Sequence, residues 1–220
     1  MRTVVVTPTY NDRANLEEFV ARLRECAPGV RLLVVDDNSP DGTGRLADDL
    51  SCRYPGEVAV LHLPCKQGLG RACVAGFRRV LAEGYDLILQ MDADLSHDPH
   101  FLPAMLARIE TADLVLGSRY VRGIAVVTWD FKRLILSKMA TRYVRLVTGM
   151  PFTDATGGFK CWRREALEAI CLDGLFSNGY LFQIETTCKA WRRGLRIAEV
   201  PIIFTSATWG ARKWTYELFW

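Results

Sequence analysis

The sequence predicts an α/β protein built on a mostly parallel sheet with helices on both faces. Three observations carry that prediction. Short β-branched or leucine-rich runs recur at residues 3–7, 31–35, 57–61, 86–91 and 113–116. Stretches with apolar residues three and four apart lie between them, and all but one run end in acids, Gly or Arg. Strands alternating with amphipathic helices build parallel sheets through crossovers, and continuously apolar strands suit a sheet covered on both sides. A chain of 220 residues, half of them hydrophobic, is long enough for one large core.

Thr3–Thr7 is β-branched and reads as the first strand, closed by Pro8, with Thr9-Tyr10-Asn11-Asp12 turning away from it. Leu16, Phe19, Val20 and Leu23 then mark one buried face of a helix over Asn15–Cys26, which Pro28-Gly29 ends. Arg31–Val35 is the second strand. Asp36-Asp37-Asn38-Ser39-Pro40-Asp41-Gly42 turns from it into a helix for which Thr43 is the expected N-cap. Asp36 and Asp37 fit either a turn or a ligand site at this stage.

Glu57–Leu61 is the third strand. Gly68 and Gly70 open a helix over Arg71–Leu81, where backbone N–H groups could approach a phosphate. The pattern is only a lookalike of the dinucleotide fingerprint, because it follows the third strand and Val74 stands where a further Gly is needed. Asp86–Met91 delivers Asp92-Ala93-Asp94, and Pro99 opens the next helix. Asp113–Leu116 ends in Gly117-Ser118-Arg119-Tyr120.

The second half is more basic. Between Arg119 and Arg164 ten Lys/Arg face only Asp130 and Asp154. Trp129–Val147 reads as a cationic amphipathic helix, either a membrane-surface element or a core helix with a solvated basic face. Trp129, Arg133 and Ser137 share one face of it, and an Arg and a Ser one turn apart can both reach one phosphate. Residues 154–160 read as a Gly-bearing loop, Arg163–Ile170 as a short helix, Leu175–Tyr180 as a loop and Phe182–Arg192 as a helix. Pro201 should kink Arg196–Phe204 into two short strands or place it at a sheet edge.

Composition excludes several classes. A net charge of +3 does not indicate a nucleic-acid protein. Seven cysteines without a C-x-x-C spacing indicate free thiols in a reducing, cytoplasmic setting and no zinc site. The N-terminal apolar run is too short for a signal peptide, and no run approaches the roughly 18 apolar residues of a membrane span.

The chemistry concentrates at Asp92 and Asp94, two acids one residue apart where a buried strand runs out. The crevice of a parallel sheet lies at its strands' carboxyl ends. Like charges so placed repel unless a cation or strong donor lies between them. Mg²⁺ or Mn²⁺ suits such a pair, filling its shell with water and phosphate oxygens, while a solvated Asp-rich turn is the alternative.

Several motifs occur in one order over roughly residues 3–206. They are Pro8-Thr-Tyr-Asn-Asp12, Val35-Asp-Asp-Asn-Ser-Pro-Asp-Gly-Thr43, Lys66-x-Gly-Leu-Gly70 and Met91-Asp-Ala-Asp-Leu-Ser-His97. Gly117-Ser-Arg-Tyr-Val121, Asp154-x-Thr-Gly-Gly-Phe159, Gly179-Tyr-x-Phe-Gln-Ile-Glu185 and Glu199-Val-Pro-Ile202 follow. The set closely resembles the dolichyl (polyprenyl) phosphate mannosyltransferases, family 2 glycosyltransferases of the GT-A fold. That resemblance implies metal-dependent inverting transfer of mannose from GDP-mannose to polyprenyl or dolichyl phosphate. It implies a GT-A domain over 1–206, with 129–148 as an interface helix and 207–220 as a donor-site tail.

By the same resemblance Pro8, Tyr10 and Asp12, with Asp where the family usually has Glu, contact the nucleotide together with Val35, Asp36, Asp37, Lys66 and Gly70. Asp92, Ala93 and Asp94 form the donor and metal motif, with Asp92 and Asp94 holding Mg²⁺ or Mn²⁺. Arg119, Arg133 and Ser137 take the acceptor phosphate, and Asp94, Arg119 and Arg133 are the implied catalytic set. Lys213 matches the Lys that closes over the diphosphate, and Arg212, which replaces the family's Ser, could stand in for the missing Arg. Glu185 reads as an orienting residue or, better, a structural acid. The family's setting implies a peripheral protein on the cytoplasmic face of a membrane, with room for a separate membrane-anchoring protein and no nucleic acid.

Two positions depart from the pattern: Ala207 stands where the family has Arg, and Ile124 where it has a second Gly. UDP-glucose as donor, or a catalytically impaired nucleotide-binding homologue, are the alternatives these leave.

Overall fold

The computed structural model describes residues 1–127 and 131–205, and of residues 127, 131 and 133 the backbone alone. Its main sheet has seven strands: β1 (Thr3–Thr9), β2 (Arg31–Asp36), β3 (Val58–His62), β4 (Leu87–Gln90), β5 (Leu114–Ser118), β7 (Lys160–Arg163) and β8 (Ile197–Pro201). They lie in the order β3-β2-β1-β4-β7-β5-β8, and a separate pair joins β6 (Val126–Val127) to β9 (Phe204–Thr205). Every pairing is parallel except those of β7, which runs antiparallel to both β4 and β5.

The alternation of side chains across the strands explains the continuous apolar runs. Val5, Leu32, Val34, Leu89 and Val115 pack on one face under α1 (Arg13–Cys26), α2 (Thr43–Arg53) and α4 (Leu102–Arg108). Val4, Val6, Leu33, Val35, Ile88 and Leu114 face the other side, under α3 (Leu69–Ala82), α6 (Arg164–Ala169) and α7 (Gly179–Arg192). Neither face meets water, so no polar alternation is needed. The last long helix, α5 (Phe131–Thr148), touches this second core through Val144.

Three expectations are corrected. Pro8 does not close β1; the strand continues to Thr9, with Pro8 opposite Val35. Val6 bonds to β4 and Thr9 to β2, so by alternation the missing N–H of Pro8 faces the β4 side, beyond the paired residues of that strand. Thr43 is not the N-cap. Gly42 is, in the left-handed conformation, and the Thr43 hydroxyl instead donates to Asp41 at 2.6 Å and accepts from the Asp12 N–H at 3.0 Å.

The third correction is β7 itself, which stands where a loop running into a helix was expected. Its four residues carry cations at both ends and no strand pattern of their own. Two long-range ladders create it. At its start Lys160 is buried, donating to the Gln183 carbonyl at 2.7 Å and the Thr186 hydroxyl at 2.8 Å. Pro201 acts as expected, ending an edge strand before β9 begins.

Burial lowers the Lys160 ammonium from its ordinary 10.5 to about 7, against the raising influence of Cys73 and Asp154. The unfolded chain therefore holds one more proton than the native state above pH 7, so stability rises with pH there. Burial raises the thiols of Cys161 (to about 12) and Cys73, which reverses the slope above their ordinary 9.0. Between about pH 6.5 and 8.5 the Lys160 contribution amounts to about 2 kcal/mol. Urea titrations of Lys160→Met should lack this increment relative to wild type. His62, raised by its hydrogen bond to Asp48, opposes it equally in both proteins.

Candidate functional site

The site lies where β1, β2 and β4 end side by side. At the β1 tip, Asn11 takes a left-handed conformation, and Asp12 turns back to accept the Tyr10 N–H at 2.9 Å. Tyr10 faces Lys66, whose ammonium sits 3.8 Å from the ring centroid, so these two expected donor residues form a cation–π pair. Val35 is fully buried beneath α3, which leaves its main chain as what it can offer a ligand. Pro8 and Ala93 are also buried.

Asp36 and Asp37 are both buried and hold loops. Asp36 accepts the Ser39 hydroxyl at 2.6 Å. It borders a cleft of about 200 Å³ shared with Gly44, Arg45, Asp48 and His62. Asp37 accepts the N–H groups of Gln67 and Gly68, each at 2.7 Å. The Gly70 N–H donates to Asn178 at 2.7 Å. The phosphate-cradling role expected of these N–H groups is therefore corrected, because all three are already committed. The glycines serve close packing: a Cβ on Gly68 would lie 2.3 Å from Asn178 Nδ2, and one on Gly70 2.6 Å from the Ser177 carbonyl oxygen.

Beyond β4, the Asp92 N–H donates to His97 Nδ1 at 3.2 Å, which assigns the proton of a neutral ring to Nε2. His97 is buried, stacked on Phe159 at 5.2 Å and met edge-on by Phe204 at 5.6 Å. Leu95 adopts a left-handed backbone, and its carbonyl accepts the Thr205 hydroxyl. This pins the Asp92-Ala93-Asp94 turn from both sides. Both acids remain half-exposed; Asp94 accepts the Ser96 N–H at 3.1 Å.

No group of three or more metal-ligating side chains exists among the described residues. Two half-exposed carboxylates fit a hard cation that draws its remaining oxygens from water and phosphate; they do not fit zinc.

Arg119 is not open to solvent. Its Nε and Nη2 donate to the two oxygens of Asp154 at 2.6 Å each, Nη2 also reaches Thr156, and the Asp154 side chain is fully buried. Burial works against the guanidinium charge and Asp154 more than restores it. The guanidinium that the resemblance assigns to the acceptor phosphate thus commits its two-pronged fork within the protein. Ser137 is half-buried, 2.8 Å from the Tyr120 hydroxyl. The side chain of Arg133, with Trp129, Ala207, Arg212 and Lys213, lies outside the described residues. Burial pushes the Glu185 carboxyl up, but the Ser177 N–H and Lys189 outweigh it, a structural arrangement.

Sequence reasoning passed over Asp154 and Asn178 as individual residues. The first follows Thr153 in a turn and the second is an N-cap, but neither local feature signals its distant partner.

The family model for glycosyl transferase family 2 matches residues 4–171. Polyprenol monophosphomannose synthase of Mycolicibacterium smegmatis is 47% identical over 213 residues, 96% of this chain and 80% of its own. Undecaprenyl-phosphate mannosyltransferase of Micrococcus luteus is 45% identical, over 97% of this chain and 87% of its own. Among solved structures, glucosyl-3-phosphoglycerate synthase of Mycobacterium tuberculosis with Mn²⁺ and UDP-glucose superposes with a TM-score of 0.67 at 22% identity, covering 96% of this chain and 73% of its own. A mannosyltransferase of Pyrobaculum calidifontis with GDP-Man and Mn²⁺ gives 0.66 at 20%, covering 96% and 58%. These two structures speak for the fold alone. The model match across most of the chain, together with relatives close to half identical, shows that this protein belongs to glycosyl transferase family 2.

Proposed function

We propose that this protein transfers mannose from GDP-mannose to a polyprenyl phosphate, releasing GDP and forming polyprenyl phosphate mannose. The observation that supports the reading most is the 47% identity, along nearly the whole chain, to a polyprenol monophosphomannose synthase. The reaction is a single inverting displacement, in which an acceptor phosphate oxygen bonds to the anomeric carbon as the bond to the GDP diphosphate breaks. A phosphate monoester is already anionic near neutral pH, so this attack needs no strong general base. Catalysis then rests on positioning and on stabilising the leaving diphosphate.

Pro8, Tyr10, Asp12, Val35, Asp36, Asp37, Lys66, Gly70 and Ala93 shape the donor side, several of them by holding the loops around it. Asp92 and Asp94 would hold Mg²⁺ or Mn²⁺, which when bound neutralises charge on the diphosphate. Arg212 and Lys213 are proposed to add cationic charge there. Arg133 and Ser137 receive the acceptor phosphate, and Arg119 acts as a positioning residue that locks the 153–156 turn.

The decisive experiment is a lipid-extraction assay with polyprenyl phosphate, Mn²⁺ and either labelled GDP-mannose or labelled UDP-glucose. Label reaching the lipid only from GDP-mannose is the expected result. Transfer only from UDP-glucose, or none despite nucleotide binding, would overturn the reading.

No helix among the described residues is long and apolar enough to cross a membrane. On α5, Leu136, Met139, Tyr143, Leu146 and Val147 are exposed, with Lys132, Lys138, Arg142 and Arg145 on the same helix. We infer that this helix rests on the cytoplasmic surface of a membrane, the apolar residues entering the interface. The protein should float with anionic liposomes at low salt and be released by high salt. Protein remaining at the bottom of the gradient at low salt would count against it.

A further inference from the structure

A cleft of about 840 Å³ lies between α5 and the 149–153 turn, outside the strand tips. Lys138, Thr141, Arg142 and Arg145 line it from successive turns of one helix face, and Tyr120 and Met150 line it opposite. No acidic side chain borders it, and among the described residues none of the three cations makes an ion pair. Lys138 lies over the Tyr120 ring at 5.5 Å. Thr141, only 6% exposed, carries a hydroxyl with no hydrogen-bond partner among the described residues. The three cations are exposed and, among the described residues, without an acidic partner, and the Thr141 hydroxyl is the buried polar group left unpaired beside them; an anion with acceptor oxygens complements both.

We propose that this cleft binds the phosphodiester head group of an anionic membrane phospholipid, at a site separate from the acceptor phosphate. The cations run from Lys138 to Arg145, about 10 Å along the helix axis and away from Ser137. One acceptor phosphate at Ser137 leaves them unneutralised, and an isoprenoid chain offers them nothing. Around the helix they stand between the buried Thr141 and the exposed stripe of Met139, Tyr143 and Leu146. A phospholipid places its charge and its acyl chains in the same relation. The site would orient the enzyme on the bilayer by recognition of a head group, in addition to general surface attraction. It rests on the membrane reading above and is independent of which sugar is transferred.

The test uses vesicles of phosphatidylcholine with or without one-quarter phosphatidylglycerol. Co-sedimentation should show R142Q/R145Q losing about tenfold in affinity for the phosphatidylglycerol vesicles. The charge-matched control R192Q/R193Q, altered at exposed residues at the C-terminal end of α7, should lose much less. Thr141→Val keeps the charge and should weaken binding of monomeric dihexanoyl-phosphatidylglycerol about tenfold, because one hydrogen bond to a charged group is lost. Transfer to polyprenyl phosphate in detergent should keep its kcat and KM in R142Q/R145Q. Equal losses in the two double variants, unchanged vesicle binding in R142Q/R145Q, or unchanged dihexanoyl-lipid binding in Thr141→Val would each overturn the proposal. So would a raised KM for the acceptor in detergent, which would assign the cleft to the acceptor. Wild-type turnover in the same detergent assay tests the transfer reaction separately.

Discussion

Asp94→Asn should lower mannosyl transfer at least about a thousandfold, equivalent to about 4 kcal/mol of transition-state stabilisation, while leaving the fold intact. Asp94 is half-exposed, and among the described residues it accepts a hydrogen bond from the Ser96 N–H. An Asn amide oxygen can still accept that bond, so the backbone of the turn keeps its partner. Removing one of two neighbouring negative charges also relieves repulsion with Asp92. The thermal midpoint should therefore change by no more than a few degrees, as expected for about 1 kcal/mol in a protein of this length. On the proposed role of Asp94, turnover falls because the diphosphate loses counter-charge as its negative charge grows. Manganese paramagnetic resonance in the presence of GDP provides a second readout, with the bound-ion fraction dropping in the variant. Turnover within a factor of ten of wild type would remove Asp94 from the proposed chemistry.

The second large effect is on stability. Asp154→Ala should destabilise the protein by about 3–5 kcal/mol, since it strands the buried guanidinium of Arg119. The pair's side chains are 8% and 0% exposed, so water cannot replace the lost carboxylate. The loss extends further, because Asp154 also accepts the Arg119 backbone N–H at 3.1 Å. Around it, Glu199 accepts the Thr153 N–H at 2.9 Å and the Thr153 hydroxyl at 2.7 Å, while Thr153 also meets Ser118. The turn is thus tied to β5 and β8 together. Against a total stability of about 5–15 kcal/mol this is a large fraction, and a fall of about 10 °C in Tm is expected. Replacing both partners, as in Arg119→Met with Asp154→Leu, should recover part of the loss, because no charge is then left buried alone. A single variant within 1 kcal/mol of wild type would show that the pair contributes little.

Most of the sheet could be read from local chemistry. Apolar runs such as Val4–Val6 and Leu87–Leu89 are buried on both faces of a sheet, as continuously apolar, β-branched or leucine-rich strands require. The periodic residues of α1 and α3 point into the two cores by the same logic. The strand β7 was not legible. Lys160 makes it look solvated, and its burial depends on a carbonyl and a hydroxyl more than twenty residues away on α7.

The candidate site divides in the same way. The acid-bearing tips of β2 and β4 were visible as motifs, because strand ends and turn residues are local properties, whereas the meeting of Tyr10 with Lys66 was not. Which polar groups remain available was not visible. Gly68 and Gly70 resemble a phosphate cradle until Asp37 and Asn178 are found on their amides. Arg119 resembles an acceptor-binding arginine until Asp154 is found in its fork.

By itself, the sequence determined the α/β class, the alternation of the first five strands with helices, the acid pair at a strand tip and the kinship with lipid-phosphate mannosyltransferases. All of these follow from periodicity and ordered short motifs. Tertiary structure alone decided that β7 enters the sheet antiparallel, that the glycine loop is held by side chains and that Arg119 is already paired. The physical reason is that hydrogen-bond capacity is finite. Which donor or acceptor uses it up depends on residues brought together from 30 to over 100 positions apart.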